Sequence, residues 1–246
     1  QTGASGWLFD IDQKSLTLDI AQVQDAIRRE CTRNANGLVH RPTQRRVRAI
    51  VPVYTNGNVP DMSGFRSLAQ EYALVMVADA AAALGADCGG LDFGAVSPIS
   101  VASFNGNKTL TSGSGGAVFG HDQALLDKAR HLGSTARSGR AYHHDAVGFN
   151  YRMSNLQAAV GCAQLERFQE LVQRKREISA FYDDLVSVVI GVDGLPGGSF
   201  GHSTRWMAGV VVQDLRRLTA IRESLDRNGI ETRSFWKPIH LQPPYQ

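Results

Sequence analysis

The chain has 246 residues, 43% hydrophobic and 20% charged, enough to bury a sizeable core in one large domain or in one domain and part of a second. Its formal net charge is only +3, the basic runs at 41–48 (RPTQRRVR) and 174–176 (RKR) read as a surface turn and a solvated helix face, and no binding motif accompanies them, so a nucleic-acid partner is not expected. Three cysteines, Cys31, Cys88 and Cys162, are odd in number and form no CxxC pair. They argue against a disulfide scaffold and for reduced thiols in the cytoplasm; no signal peptide opens the chain and no apolar run is long enough to span a membrane.

In chain order, GWLFDID (6–12) reads as a short strand. Asp19 then stands where it can cap a helix from Ile20 to about Glu30, with Val23, Ala26 and Ile27 on one face. The polar stretch 33–46 reads as loop. RAIVPVY (48–54) is a continuous apolar run, the pattern of a strand buried on both faces. TNGNVPD (55–61) is a turn, followed by a helix from Met62 to about Tyr72. LVMVAD (74–79), PISVASF (98–104) and GGAVFG (115–120) read as further strands, and Gln123 to His131 as a helix. Ser154 to about Val186 is one long helical stretch. A Gly-rich connection at 191–203 leads to a strand, RWMAGVVV (205–212), and a helix over 215–229 ended by Gly229. Strands alternating with helices predict an α/β sheet covered on both faces. The expected division is a large domain over 1–190, ending in the long helix, and the start of a smaller α/β unit over 191–246.

In open sheets of this kind ligands collect at the carboxyl ends of strands. Asp79 sits at one such end, and Ser103 and Lys108 at or just past another. A lysine in a loop is ordinarily a surface group. Lys108 differs because a buried-type strand leads into it and glycines follow it, where backbone can approach a ligand. A desolvated lysine amine loses part of its proton affinity and becomes a nucleophile toward carbonyls. Pyridoxal phosphate needs such a lysine, and an acid to keep its ring nitrogen protonated; Asp79 can fill that role, although alone it is an ordinary strand-end Asp. Ser103 with Gly113, Gly115 and Gly116 suits a phosphate, through a hydroxyl and free backbone N–H groups. The chain has no GxGxxG opening a helix, and GNKT lacks the GxxxxGK[ST] spacing. The run HHD (143–145) lacks matching ligands, so no metal is expected.

Three segments, VADAAAALGA (77–86), SFNGNKTLTSGSGG (103–116) and HHDAVGFNYRMSNLQAAVGCAQLERF (143–168), together resemble the DegT/DnrJ/EryC1/StrS family of pyridoxal-phosphate-dependent sugar aminotransferases. The resemblance covers nearly the whole chain, and SFNGNK with VGCAQLE is similar to members that aminate UDP-linked 4-keto sugars for bacterial surface glycans. It implies the type I aminotransferase fold, α/β with a mixed, mostly parallel sheet and a small C-terminal domain, and a homodimer. It implies pyridoxal 5'-phosphate as cofactor, with glutamate and a nucleotide sugar as substrates. Lys108 would carry the cofactor and move protons, Asp79 would pair with the ring nitrogen, and Ser103 would bind the phosphate. Asn150 would reach the phosphate in the neighbouring subunit's site, and Tyr151, Arg152 and His240 would lie near the sugar nucleotide.

The sequence also departs from the family pattern. Ala82 stands where Glu, Gln or His is usual, Ala78-Asp79 replaces Glu-Asp, and GSGG replaces GEGG. The resemblance further implies roughly a hundred residues before GWLFDID, judged against ordinary domain sizes, carrying a phosphate-binding turn and an aromatic that stacks on the cofactor ring. It implies a small domain continuing past Gln246. The alternative expectation is a non-catalytic relative that binds cofactor or sugar nucleotide in a regulatory role.

Overall fold

A computed structural model describes residues 2–90, 93–139 and 142–245. The first segment, GWLFDID, is not a strand. It makes one isolated bridge, Ile11 to Leu18, because the chain turns at Asp12, whose carboxylate accepts from the Lys14 and Ser15 amides. Trp7 and Phe9 still pack against the core. Helix α1 (Ile20–Glu30) starts at Asp19, whose carboxylate accepts from the amides of Ala21 and Gln22, and it buries Val23, Ala26 and Ile27.

The expected loop at 33–46 is an antiparallel meander of β1 (Cys31–Asn34), β2 (Gly37–His40) and β3 (Arg45–Arg46). Its Asn and Gly residues make a hairpin turn, with Gly37 at φ +97° and the Asn34 side chain accepting from the Asn36 amide. Leu38 and Val39 are buried behind it.

The central sheet has four strands in the order β4 (Ala49–Ile50), β5 (Val75–Asp79), β6 (Ile99–Ser103) and β7 (Gly116–Phe119). The first two junctions are parallel and the last is antiparallel. The apolar run 48–54 supplies only the two residues of β4. Pro52, which has no N–H, interrupts the ladder, and Val53 rejoins it by a bridge to Asp79. Helix α2 (Met62–Tyr72) is capped by the Asp61 carboxylate and buries Met62, Phe65, Leu68 and Ala69. These residues, with Tyr54, Met76 and Ala78 of the sheet region, form the core that fixes the strands.

Beyond β7, α3 (Gln123–Gly133) is capped by Asp122. A short hairpin, β8 (Arg137–Ser138) with β9 (His143–His144), follows. The expected long helix is two helices, α4 (Asn155–Glu166) and α5 (Phe168–Ser187), because the backbone leaves helical geometry at Arg167. A capping box of Ser154 and Gln157 starts α4, and Gly161 is its one buried residue. Leu156, Val160 and Leu165 stay exposed. So does Cys162, whereas Cys31 and Cys88 are buried and all three are free thiols.

The expected strand at 205–212 shrinks to β11 (Val210–Val212), antiparallel to β10 (Val192–Gly194), before α6 (Leu215–Arg227). Residues 203–207 instead fold back over the sheet region, with Arg205 at φ +52°. Among the described residues no helix is long and apolar enough to cross a membrane.

Candidate active site

Asp79 and Ser103 are the last residues of adjacent parallel strands, with Asp79 in register with Val101. Both face the carboxyl edge of the sheet. Asp79 is half-buried, and its backbone is tied on both sides: its N–H donates to the Pro52 carbonyl at 3.0 Å and its carbonyl accepts from Tyr54 at 2.9 Å. Its Oδ1 accepts from the Ala81 amide at 3.1 Å.

The segment between β6 and β7 is a closed loop. The Phe104 amide donates to Gly115, and the Ser112 amide and Thr111 hydroxyl both donate to the Phe104 carbonyl. The Ser103 hydroxyl accepts from the Asn105 amide at 3.3 Å, and the Lys108 amide donates to Asn105 at 3.0 Å. At Gly113 (φ +81°) an added Cβ would meet nothing within 4 Å, so the loop borders open space there. At Gly115 (φ +89°) it would stand 3.0 Å from Met153 Cε. The chain just after Asn150 therefore passes beside the glycine loop.

Lys108 is half-buried in this loop. Its Nζ lies 3.7 Å from the centroid of the Trp206 ring. Burial pushes the amine's pKa below that of a free lysine, and the Asp79 charge partly opposes this. The structure thus brings Asp79 and Lys108 within electrostatic reach, with the Ser103 hydroxyl at the root of the same loop.

The remaining expected residues stand apart. Asn150 is exposed on a strap bridged to Ser134. The Phe149 amide donates to Leu132 and the Tyr151 amide to Gly133. Tyr151 stacks on Phe149 with ring centroids 5.0 Å apart, and Arg152 is exposed. His240 is exposed in the short turn Ile239–Leu241. Among the described residues no hydrogen bond or ion pair joins Asn150, Tyr151, Arg152 or His240 to Asp79, Ser103 or Lys108. Ala82 offers only its carbonyl, which accepts from the Thr204 hydroxyl at 2.9 Å.

The HHD segment holds the strap. His131 pairs with Asp145 at 2.6 Å and keeps the Asp145 carboxyl below its usual range. His144 Nδ1 lies 2.7 Å from the Thr135 carbonyl. Among the described residues no cluster of three His, Cys, Asp or Glu side chains could hold a metal. A cleft of about 370 Å³ is lined by Arg176, Asp183, His202 and Arg205, with Lys108 not among its lining residues. Trp206, which lies against Lys108, is a residue that the sequence did not single out. Its signal was a lone indole following a Gly-rich junction, which a strand reading absorbed.

The model of the DegT/DnrJ/EryC1/StrS aminotransferase family matches residues 1–246. GDP-perosamine synthase of Vibrio cholerae is 34% identical over 213 residues, which is 85% of this chain and 57% of that protein. The dTDP-3-amino-3,4,6-trideoxy-alpha-D-glucose transaminase of Streptomyces venezuelae is 33% identical over 210 residues, 85% of this chain and 54% of that protein. The chain therefore spans little more than half the length of these curated relatives. Among solved structures, a DegT DnrJ EryC1 StrS aminotransferase from Brucella abortus superposes with a TM-score of 0.81 at 25% identity, covering 96% of this chain and 60% of that one. DesV of S. venezuelae superposes with a TM-score of 0.80 at 30% identity, covering 96% and 58%.

Proposed function

The chain belongs to the DegT/DnrJ/EryC1/StrS aminotransferase family, and from that premise we propose that it carries the cofactor end of an enzyme moving an amino group from glutamate to a nucleotide-linked keto sugar. Its fold is the type I fold of pyridoxal-phosphate aminotransferases, with a mixed, mostly parallel sheet. The names of its relatives carry GDP- and dTDP-sugars, whereas the sequence wording suggested UDP-sugars. The proposal is therefore set at the class of nucleotide-linked keto sugars, with a 4-keto group as the favoured position.

The observation that carries the reading is a half-buried lysine, Lys108, in the loop after β6, within electrostatic reach of Asp79 at the end of the neighbouring strand β5. The residues present fit pyridoxal 5'-phosphate by their chemistry. Lys108 offers an amine whose proton affinity burial has reduced. Asp79 offers a carboxylate for a ring nitrogen. Ser103 and the open backbone at Gly113 offer a hydroxyl and N–H groups for a phosphate. When bound, the cofactor supplies an electron sink for the carbon that loses a proton. Lys108 would hold the cofactor through its amine, and its Nζ would take a proton from the donor's amine-bearing carbon and return one on the acceptor side. Asp79 would hold negative charge for the ring nitrogen, and the loop 104–115, closed by its own hydrogen bonds, holds Lys108 and Ser103 in one segment.

Asn150 is assigned to a neighbouring subunit's phosphate site, which its exposure supports. Tyr151, Arg152 and His240 are assigned to the sugar nucleotide. The exposed apolar side chains of Phe149, Tyr151, Leu156, Val160 and Leu165 support a homodimer built on α4 and the strap. The free thiols fit a cytoplasmic setting.

Incubation with pyridoxal phosphate, borohydride reduction and peptide mapping test the reading. A single adduct on Lys108, absent from Lys108→Ala, is expected. Scattered labelling of exposed lysines such as Lys14 and Lys128, with none on Lys108, would remove it.

A further inference from the structure

Trp206 lies 98 positions further along the chain, yet its ring sits directly against the Lys108 amine. Its ring is almost wholly buried, at 5% exposure, and its face meets Lys108 Nζ at 3.7 Å. The indole N–H donates to the Asn107 carbonyl at 2.7 Å. One side chain therefore grips both the amine of Lys108 and the backbone just before it.

The segment that brings Trp206 there is pinned on both sides of it. Asn56, buried and in the left-handed region at φ 55°, accepts from the Trp206 amide through its own carbonyl. Its side chain makes two bonds to Met207, accepting from the amide at 3.1 Å and donating to the carbonyl at 2.9 Å. Arg205 donates to the Leu195 carbonyl and to Asp183 on α5. Thr204 donates to Ala82. Behind the indole, Trp236 stacks at 5.9 Å with an 11° tilt between ring planes. Burial of a large aromatic for core packing alone would not require a reciprocal amide pair at the next residue, nor place the ring face on an ammonium group.

We propose that Trp206, locked by Asn56, is a positioning residue for Lys108: its indole face fixes where the amine sits and keeps water from it. A lysine has four rotatable carbons, and only a wall can hold its tip when nothing is bonded to it. The ring face attracts the ammonium form, while its bulk excludes the water that would otherwise solvate it, and the loss of water is the larger effect, so the amine's proton affinity stays below that of a free lysine. The amine's chemistry is thereby tied to residues 203–207, which follow the Gly-rich junction. The proposal rests on the reading of Lys108 as the cofactor-bearing lysine.

The test uses the cofactor-free chain and reads Lys108 directly. Reductive methylation with limiting isotope-labelled formaldehyde across a pH series gives the protonation profile of each lysine, with exposed Lys14 and Lys128 as internal standards. In Trp206→Ala, water reaches the amine, and its midpoint rises toward those standards. A rise of about one unit leaves about tenfold less free amine at a fixed lower pH. Trp206→Phe, which keeps a ring face, recovers most of the original profile. In the unsubstituted chain, NMR of the methylated lysines shows the Lys108 methyls shifted upfield by the indole ring current, away from those of Lys14 and Lys128.

An unmoved Lys108 profile in a folded Trp206→Ala chain would overturn the proposal. So would Lys108 methyl resonances coinciding with the standards, a readout that needs no variant to fold. A chain whose Lys108 profile follows Trp206 but takes no pyridoxal phosphate would keep this inference and sink the proposed function.

Discussion

Lys108 is a residue whose placement works against the fold that contains it. Burial holds its amine's pKa below the ordinary lysine value of 10.5, so the unfolded chain keeps the proton to higher pH than the folded one. Folded stability then rises with pH across the window from the depressed value up to the ordinary one, and below that window the charged amine is destabilising throughout. Lys108→Met should therefore unfold at higher urea concentration than the unsubstituted chain at neutral pH, both without cofactor. Its advantage should shrink as pH approaches the free-lysine value. A variant less stable than the parent at every pH would show that the Asp79 and Trp206 contacts outweigh burial. Lys108, Asp79 and Ser103 were legible in the sequence because each is marked by its own neighbours, an apolar strand before it or glycines after it. Trp206 was not, because its partner Asn107 lies 99 positions away and no local pattern encodes a contact of that range.

At the level of elements, local signals performed well where a cap fixes a boundary. Asp19, Asp61, Asp122, Ser154 and Asp214 each start a helix with a side-chain hydrogen bond. Signals failed where tertiary contacts decide. The meander β1–β3 has polar residues on its outer face, and its turn chemistry resembles that of a loop. The 6–12 segment has strand-like residues but spends them as single anchors. The break at Arg167 has no proline or glycine to announce it. The neighbouring helices make a paired prediction about glycine. At Gly161 in α4 an added methyl would sit 3.7 Å from Ser112 Cβ, an ordinary contact. Gly161→Ala should then stabilise the chain by roughly 0.5–1 kcal/mol through helix propensity. At Gly85 (φ +92°) the same methyl would fall 2.8 Å from Val172 and 2.9 Å from Phe168 on α5. Gly85→Ala should destabilise by about 1–3 kcal/mol, from overpacking and backbone strain together. Urea melts of both variants check the opposite signs.

For the whole molecule, α4 carries a set of aliphatic side chains that a single chain leaves uncovered. It buries one glycine and leaves three large aliphatic residues outside, and a helix with so little of itself covered calls for a partner surface. Sedimentation velocity across a concentration series should show a two-chain species. Charged replacements at Leu156 and Val160 should shift it to one chain without changing the circular dichroism of the subunit. A persistently monomeric parent chain would oppose the homodimer. The same helix bears Cys162, the exposed thiol of a chain whose other two are buried. That contrast gives the protein a ready-made chemical address. A maleimide dye added to the native chain should attach at one known position, with no cysteine to remove beforehand. Attachment that slows as protein concentration rises would locate the seam between two copies, and a pair of dyes placed this way would act as a ruler across it.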